Sequence, residues 1–167
     1  YTPTLAGEWV GVDNYTALLA SGDFWNAARN TLIWTVGTLM LQLVFGVAMA
    51  LLLNQSIVFR SLARSLVLFP YFLSTVVAVL VWRWLFNDLY GILNHVLLIA
   101  GLIDAPVNWL GQMPNAMISI ILVGAWKYFP FVVIVVLARL QSIPEQLYEA
   151  ATIDGAGPFQ RFTDITL

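Results

Sequence analysis

Lys127 is the one charged side chain that lies deep within a long apolar segment of this sequence. Charged residues make up 10% of the chain, and residues 116–138 hold no other Asp, Glu, Lys or Arg. A charge at the bilayer centre costs about 2.5–3.5 kcal/mol on insertion scales, so Lys127 must face protein or water. It therefore lies either on a solute pathway or at a helix interface, paired with a carboxylate or with backbone carbonyls. The role at a helix interface is favoured. It predicts that replacement of Lys127 by methionine, which keeps the length of the side chain without its charge, is tolerated.

The polar C-terminal tail, residues 142–167, is the second chemically informative stretch. Ser142 and Glu145 have the spacing of a capping box, which predicts that a helix starts there and runs to about Ile153. Gly155 is then expected to adopt a left-handed conformation and to close this helix.

A second helix is expected to open at Pro158, since proline is well suited to the first turn. Within the first helix, Ala150 and Ala151 are small side chains next to the carboxylate of Glu149. This combination predicts a helix face that another protein approaches closely.

Motifs for catalysis and for nucleotide binding are absent from the sequence. It contains no G-x-x-x-x-G-K-[ST], no G-x-S-x-G and no H-E-x-x-H. With no cysteine and a single histidine, His95, the sequence predicts no metal site and no cofactor. The net charge of −2 argues against a nucleic-acid partner. We therefore expect a protein that is not an enzyme.

Composition predicts an all-α, polytopic helical membrane protein. Hydrophobic residues make up 60% of the chain and charged residues 10%, against roughly 25% charged residues in soluble domains. A helix rises about 1.5 Å per residue and the hydrocarbon core is roughly 30 Å thick. Three apolar segments within a transmembrane domain of residues 30–141 are long enough to span it: residues 31–53, 65–83 and 116–138.

Small residues and prolines predict how these spans pack. Gly46 and Ala50 have the four-residue spacing that lets helix backbones approach closely, and Gly37 adds a second such point. Pro70 interrupts the second span and is expected to kink it.

The distribution of arginine predicts the orientation of the chain. Arg60 and Arg64 lie in a short loop without acidic residues, whereas the connection of residues 84–115 holds Asp88 and Asp104 and no basic residue. The short loop and the tail are therefore expected to be cytoplasmic, with the connection outside. Gln55 and Gln146 should then face the cytoplasm, and Asn94 the outside, as should an interfacial segment of residues 1–29. Residues 91–102, apolar but too short to span, predict an interfacial or re-entrant helix.

Several short stretches resemble the permease subunits of binding-protein-dependent ABC importers. In the tail, Glu149-Ala150-Ala151, Asp154-Gly155-Ala156, Phe162 and Ile165-Thr166-Leu167 are similar to the EAA motif of that family. The preceding residues 140–148 are similar to the sugar-permease branch, which includes the maltose and glycerol-3-phosphate importers. Further similar stretches are residues 9–15, 29–32, 50–54, 82–87 and 108–111.

This resemblance implies a role for the tail and a set of partners. In the family the EAA loop is a cytoplasmic coupling helix that docks in a groove of the ATPase subunit. The resemblance thus assigns coupling to a set of tail residues, namely Glu149, Ala150, Ala151, Asp154 and Gly155. It implies a dimer of ATPase subunits, a second permease subunit and an extracytoplasmic solute-binding protein. The lipid bilayer is that of the cell (inner) membrane, which the chain crosses several times.

The resemblance also implies the fold and activity. The expected fold is that of an ABC importer permease, with three visible transmembrane helices and the coupling module of residues 142–167. Family members usually carry one membrane helix before this region and two after it, so an incomplete permease is expected. The expected function is to move a sugar or sugar derivative by alternating access, with ATP hydrolysed by a separate subunit.

Two alternatives come from other functional classes. One is an ATP-independent channel or secondary carrier in which Lys127 relays charge. The other is a structural membrane scaffold. Neither needs a helix-glycine-helix module beneath the membrane, so the tail is the feature that discriminates.

Overall fold

The computed structural model describes residues 11–55 and 58–166, which form helices joined by short turns and one long connection. In chain order the helices are α1 (Asp13–Ala20), α2 (Gly22–Asn54), α3 (Arg60–Phe72), α4 (Thr75–Leu85), α5 (Ile92–Ile99), α6 (Asn115–Gln141), α7 (Glu145–Ile153) and α8 (Pro158–Arg161), which continues into a π-helical turn (Phe162–Thr166). The predicted all-α fold class is confirmed. Predictions for residues 1–10, for residues 56–57 and for Leu167 lie outside the described residues.

The two longest helices, α2 and α6, pack side by side and run parallel. Both are long and apolar enough to cross a membrane. A Cβ atom at Gly37 would lie 2.9 Å from Ile121 Cδ1, and one at Gly46 would lie 2.5 Å from Val132 Cβ. Because these contacts advance in the same direction along both helices, the chain between α2 and α6 returns to the end where α2 began.

Small side chains permit this close approach. Gly46 and Ala50 are both buried, and a side chain at Gly46 would overlap Val132. The predicted packing role of Gly46, Ala50 and Gly37 is confirmed. Further along the same contact, the ends of the two helices bury an apolar cluster formed by Ala50, Leu53, Val133, Leu137 and Leu140.

Helix α2 begins at Gly22, well before the start predicted for the first span at residue 31. Residues 23–30 contain no glycine or proline that would end a helix, and they include Ala27 and Ala28, which favour it. The boundary predicted between residues 29 and 30 therefore falls inside α2.

The second predicted span is two helices, α3 and α4, whose axes differ by 94°. Pro70 lies inside α3, and the chain breaks beyond it, where Leu73 and Ser74 are extended with ψ of 136° and 135°. Proline disturbs the turn that precedes it rather than the one that follows. One helix kinked at Pro70 is therefore the wrong geometry, although the pair together is apolar and long enough for one broken span.

The long connection between α4 and α6 is organised around the side chain of Asn94. Only 3% of Asn94 is exposed. Its Nδ2 donates to the carbonyls of Asp88 (3.3 Å) and Val107 (3.0 Å), and its Oδ1 accepts from Val107 N (3.1 Å) and Trp109 Nε1 (2.8 Å). Asn94 belongs to α5, so the helix predicted within residues 91–102 is confirmed, and one carboxamide holds it to the rest of the connection.

Candidate functional site

The first tail helix, α7 (Glu145–Ile153), carries the predicted coupling residues. It ends at the residue that the sequence predicted. Glu149 and Ala150 are exposed, and Ala151 is half-buried. The carboxylate and the small side chain therefore lie together on an accessible part of the helix.

The predicted capping box at the start of α7 is wrong. Pro144 occupies the N-cap position, and no side chain caps the helix. Ser142 Oγ instead donates to the carbonyl of Arg139 at 2.7 Å and accepts from Arg139 Nη1 at 3.2 Å. A serine hydroxyl next to a helix end readily bonds back to a preceding carbonyl, and here that carbonyl belongs to the last turn of α6.

Gly155 closes α7 in the conformation that was predicted. Its φ is +83°, the left-handed region that favours glycine. Its N–H donates to the carbonyl of Thr152 at 3.1 Å, and Ala156 N donates to the carbonyl of Ala151 at 2.8 Å. These two bonds form a Schellman motif, with the exposed Asp154 at the C-cap position.

The second half of the tail folds back on one face of α7. Arg161 Nη1 donates to Thr152 Oγ1 at 2.9 Å, and the hydroxyls of Tyr148 and Thr166 are 3.0 Å apart. Tyr148 and Thr152 are four residues apart and share a helix face, and Ala150 lies between them in sequence on the opposite face. The Ala150 face is therefore not the one that the second half of the tail covers.

Lys127 is buried at the break between α3 and α4. Only 5% of the side chain is exposed. Its Nζ donates to the carbonyl of Leu73 at 2.6 Å and to that of Pro70 at 3.3 Å, and lies 5.6 Å from the ring centre of Tyr128. In the described part of the chain neither carbonyl accepts a backbone N–H. The lysine thus supplies donors, and a positive charge, to the C-terminal end of α3.

A cavity of about 380 Å³ lies on one side of Lys127. Aromatic rings and a few polar side chains line it, among them Trp34, Thr75, Trp82, Arg83, Ser119 and Tyr128. Lys127 is part of this wall while its Nζ is bonded to the end of α3. The structure therefore brings the lysine both to a helix interface and to a cavity.

The tail and Lys127 occupy separate regions. Along α6, Lys127 lies about 20 Å from Gln141 at about 1.5 Å per residue.

Sequence reasoning used Arg60 and Arg64, which lie near the Gln141 end of α6, only to predict the orientation of the chain in the membrane. It missed that Arg60 Nε, at the start of α3, donates to the carbonyl of Leu53, near the end of α2, at 2.8 Å. No local pattern indicates this contact, because the donor and the acceptor belong to different helices.

Acidic and imidazole side chains do not gather into a metal site in residues 11–55 and 58–166. Within these ranges no three His, Cys, Asp or Glu side chains are placed to hold one ion. Some of the polar groups that the structure does bring together lie at helix ends, where Lys127 meets the end of α3 and Arg60 meets the end of α2.

Comparison with known families identifies the chain. Residues 42–167 match the family described as binding-protein-dependent transport system inner membrane component. This chain belongs to that family. It is 38% identical to the trehalose/maltose transport system permease protein MalF of Thermococcus litoralis, over 95% of this chain and 53% of that protein. It is 37% identical to the sulfoquinovosyl glycerol transport system permease protein SmoG of Agrobacterium fabrum, over 99% of this chain and 53% of that protein.

A solved structure shares the fold. A chain of the bacterial ABC transporter involved in the import of the acidic polysaccharide alginate superposes with a TM-score of 0.84 and 31% identity. The match covers 95% of this chain and 56% of that one. The present chain thus spans about half the length of the curated relatives and of the solved chain that it matches.

These findings confirm the family resemblance and the permease fold. The chain belongs to a family of inner membrane transport components, shares the fold of a chain from an ABC transporter and is a multi-pass membrane protein. The EAA motif lies inside the matched residues. The contributions of Glu149, Ala150, Ala151, Asp154, Gly155 and Lys127 stay predictions.

Proposed function

We propose that this chain forms part of the solute pathway of an ATP-driven importer in the cell (inner) membrane, and that the solute is a sugar or sugar derivative. The observation that carries the proposal is the tail. A helix with an exposed Glu149 and Ala150, closed by Gly155, follows directly on the long apolar helix α6. A secondary carrier or a scaffold has no need of this arrangement.

The geometry of the tail supports docking in a groove of a partner. A helix that docks in a groove presents one of its faces to the groove, and small side chains on that face let the two backbones come close. Ala150 provides the small side chain, while Tyr148 and Thr152 hold the opposite face through bonds to Thr166 and Arg161. The exposed Glu149 carboxylate is available for a charge-assisted hydrogen bond with the partner.

The proposed partner for this face is a cytoplasmic ATPase subunit, present as a dimer. A second permease subunit would complete the pathway, and an extracytoplasmic binding protein would deliver the solute. In the proposed mechanism, closure of the ATPase dimer moves the tail, and the helices then expose the solute site to one side of the membrane and afterwards to the other. Rigid-body rotation of packed helices is a common form of such a transition.

The sugar class is supported by the relatives. The similar proteins are named for trehalose and maltose or sulfoquinovosyl glycerol, and the similar structure for alginate. In the present chain, the cavity next to Lys127 has aromatic walls at Trp34, Trp82 and Tyr128. Flat aromatic faces of this kind suit the apolar face of a sugar ring, and the cavity is of a size used for small ligands.

For Lys127 we infer a structural role at the broken span. The buried carbonyl of Pro70 and the partly buried carbonyl of Leu73 would lose their donor if the lysine were absent, which is costly in a membrane interior. Its Nζ is already engaged at 2.6 Å by Leu73 O. A charge relay requires a group that is free to exchange partners, so this geometry favours the interface over the carrier alternative.

Co-purification and reconstitution test the proposed function. The permease is purified in mild detergent and analysed for a bound ATPase, and the complex is placed in proteoliposomes with candidate oligosaccharides and their binding protein. The expected result is an associated ATPase whose hydrolysis is stimulated by solute-loaded binding protein. Solute uptake without ATP and without an associated ATPase would instead establish the carrier alternative.

A further inference from the structure

Two arginines and a glutamine join three helix ends next to the tail. Arg60, the first residue of α3, donates through Nε to the carbonyl of Leu53 at 2.8 Å and through Nη2 to that of Asn54 at 3.4 Å. These are the last carbonyls of α2, which have no partner within their own helix. A single guanidinium therefore ties the start of α3 to the end of α2.

Gln141 extends this connection to α6, of which it is the last residue. With its amide oxygen facing the arginines, Gln141 accepts from Arg60 Nη2 at 3.3 Å and from Arg64 Nη2 at 2.6 Å. The hydrogen-bond network assigns this orientation, because in the opposite one the amide nitrogen, which is a donor, would face the arginine donors. Arg64 Nε is buried and, within the described residues, has no hydrogen-bond partner. The Gln141 oxygen is therefore an important partner for a partly buried charge.

We call Arg60, Arg64 and Gln141 the helix-end cluster. It lies next to two buried apolar side chains, Leu53 at the end of α2 and Leu140 at the end of α6. On its other side a polar cleft of about 590 Å³ separates the cluster from the tail, and Glu145 and Tyr148 of α7 line that cleft. Between Gln141 and α7 the chain has only residues 142–144, so a displacement of α7 reaches Gln141 before any other residue of the cluster.

We propose that the helix-end cluster transmits movement of the tail to α2 and α3, with Gln141 as the positioning residue at its centre. The inference rests on the proposed function, in which the tail receives movement from an ATPase. Without Gln141, α6 would still move with the tail and would still pack against α2, and Lys127 would still contact the end of α3. The start of α3, however, would lose the acceptor through which Arg60 and Arg64 follow the end of α6. Basal hydrolysis would then continue, but its stimulation by the solute would fall.

The test compares Gln141→Leu with Gln141→Glu in the complex of permease and ATPase, reconstituted in proteoliposomes with the binding protein. Leucine has a similar size and no acceptor, whereas glutamate accepts from both arginines. We expect Gln141→Leu to keep its ATPase and its basal hydrolysis but to lose solute stimulation by at least about fivefold, the lower end of typical coupling between sites. Gln141→Glu should retain stimulation.

Gln112→Leu is the matched control, since Gln112 is an exposed glutamine in the long connection, away from the cluster. If Gln141→Leu is absent from the membrane, Gln141→Met is assayed instead, because methionine is an unbranched side chain of similar length that lacks the amide. Stimulation equal to wild type in the assayed variant overturns the proposal, as does equal loss in Gln141→Glu. A wild-type complex without ATPase or without stimulation would instead count against the proposed function itself.

Discussion

At the scale of single residues, the hydrogen bonds of Lys127 change the expected effect of replacing it by methionine. Methionine fills the same space but supplies no donor, so the carbonyls of Leu73 and Pro70 would lose their partner. Each unsatisfied buried group costs about 1–3 kcal/mol. We therefore expect Lys127→Met to lower the melting temperature of the detergent-purified permease, contrary to the tolerance that the sequence alone predicted.

Lys127→Gln is the informative companion variant. The glutamine amide retains a donor but has no charge. If Lys127 has a structural role, Lys127→Gln should lose less stability than Lys127→Met and should retain transport. Normal stability together with abolished uptake in Lys127→Gln would contradict the structural role and favour a pathway role for the charge.

Gly155 is the residue at which backbone conformation alone predicts an effect. A Cβ atom there meets no neighbour within 4 Å, so any cost comes from its φ of +83°. A side chain in the left-handed region costs roughly 1–2 kcal/mol, and a β-branched one is a clear outlier. We expect Gly155→Val to insert normally but to lose solute-stimulated hydrolysis, because the second half of the tail is misdirected.

Gly157 provides the control for this change. A Cβ atom at Gly157 would likewise meet no neighbour within 4 Å, but the φ of this residue is −68°, which any residue adopts. Gly157→Val should therefore behave like wild type. Equal effects of the two valines on ATPase activity would rule out the conformational explanation.

Among the helices, α7 is where steric exclusion can be tested. Ala150→Trp places a large side chain on the face proposed to enter a groove, and we expect the ATPase to be lost during purification. Ala150→Ser, which adds only a hydroxyl, should retain it. Thr152 is unsuitable as a control because Arg161 donates to its hydroxyl. Retention of the ATPase by Ala150→Trp would show that this face is not the docking surface.

Local sequence was sufficient for the elements whose determinants are close together in the chain. The end of α7 follows from Gly155, and the close packing of one face of α2 follows from Gly46 and Ala50, although the sequence did not indicate that α6 is the partner. The break between α3 and α4 could not be predicted, because its hydrogen-bond donor, Lys127, is more than fifty residues further along the chain. The capping box failed for a different and local reason: Ser142 bonds to Arg139, three residues before it, and so belongs to the end of α6 and not to the start of α7.

At the scale of the whole molecule, the parallel packing of α2 and α6 is compatible with the orientation predicted from arginine. Single cysteines at Gln55 and Gln146 should be labelled by an impermeant reagent only after the membrane is opened. The reporter for the outside should be His95, which is exposed, because Asn94 is buried with four hydrogen bonds. This sequence has no cysteine to give background. Labelling at Gln55 but not at His95 in intact cells would show that the chain has the opposite orientation in the membrane.

The contact between Lys127 and the end of α3 also has a consequence for biosynthesis. Helices α3 and α4 leave the ribosome before α6, so the carbonyls of Pro70 and Leu73 have no lysine donor when they first meet the membrane. We therefore expect the broken span formed by α3 and α4 to adopt its final orientation in the membrane only after α6 has been inserted. In a chain ending at residue 114, a cysteine at Asp88 should be labelled from both sides of the membrane.

In a chain ending at residue 141, the same cysteine should be labelled from one side only, and Lys127→Met should restore the mixed pattern. One-sided labelling in the shorter chain would show that α3 and α4 orient without their later partner. If the expected order holds, α6 acts during synthesis as a folding template for helices made before it, and errors in α6 would appear first as misorientation of an upstream segment.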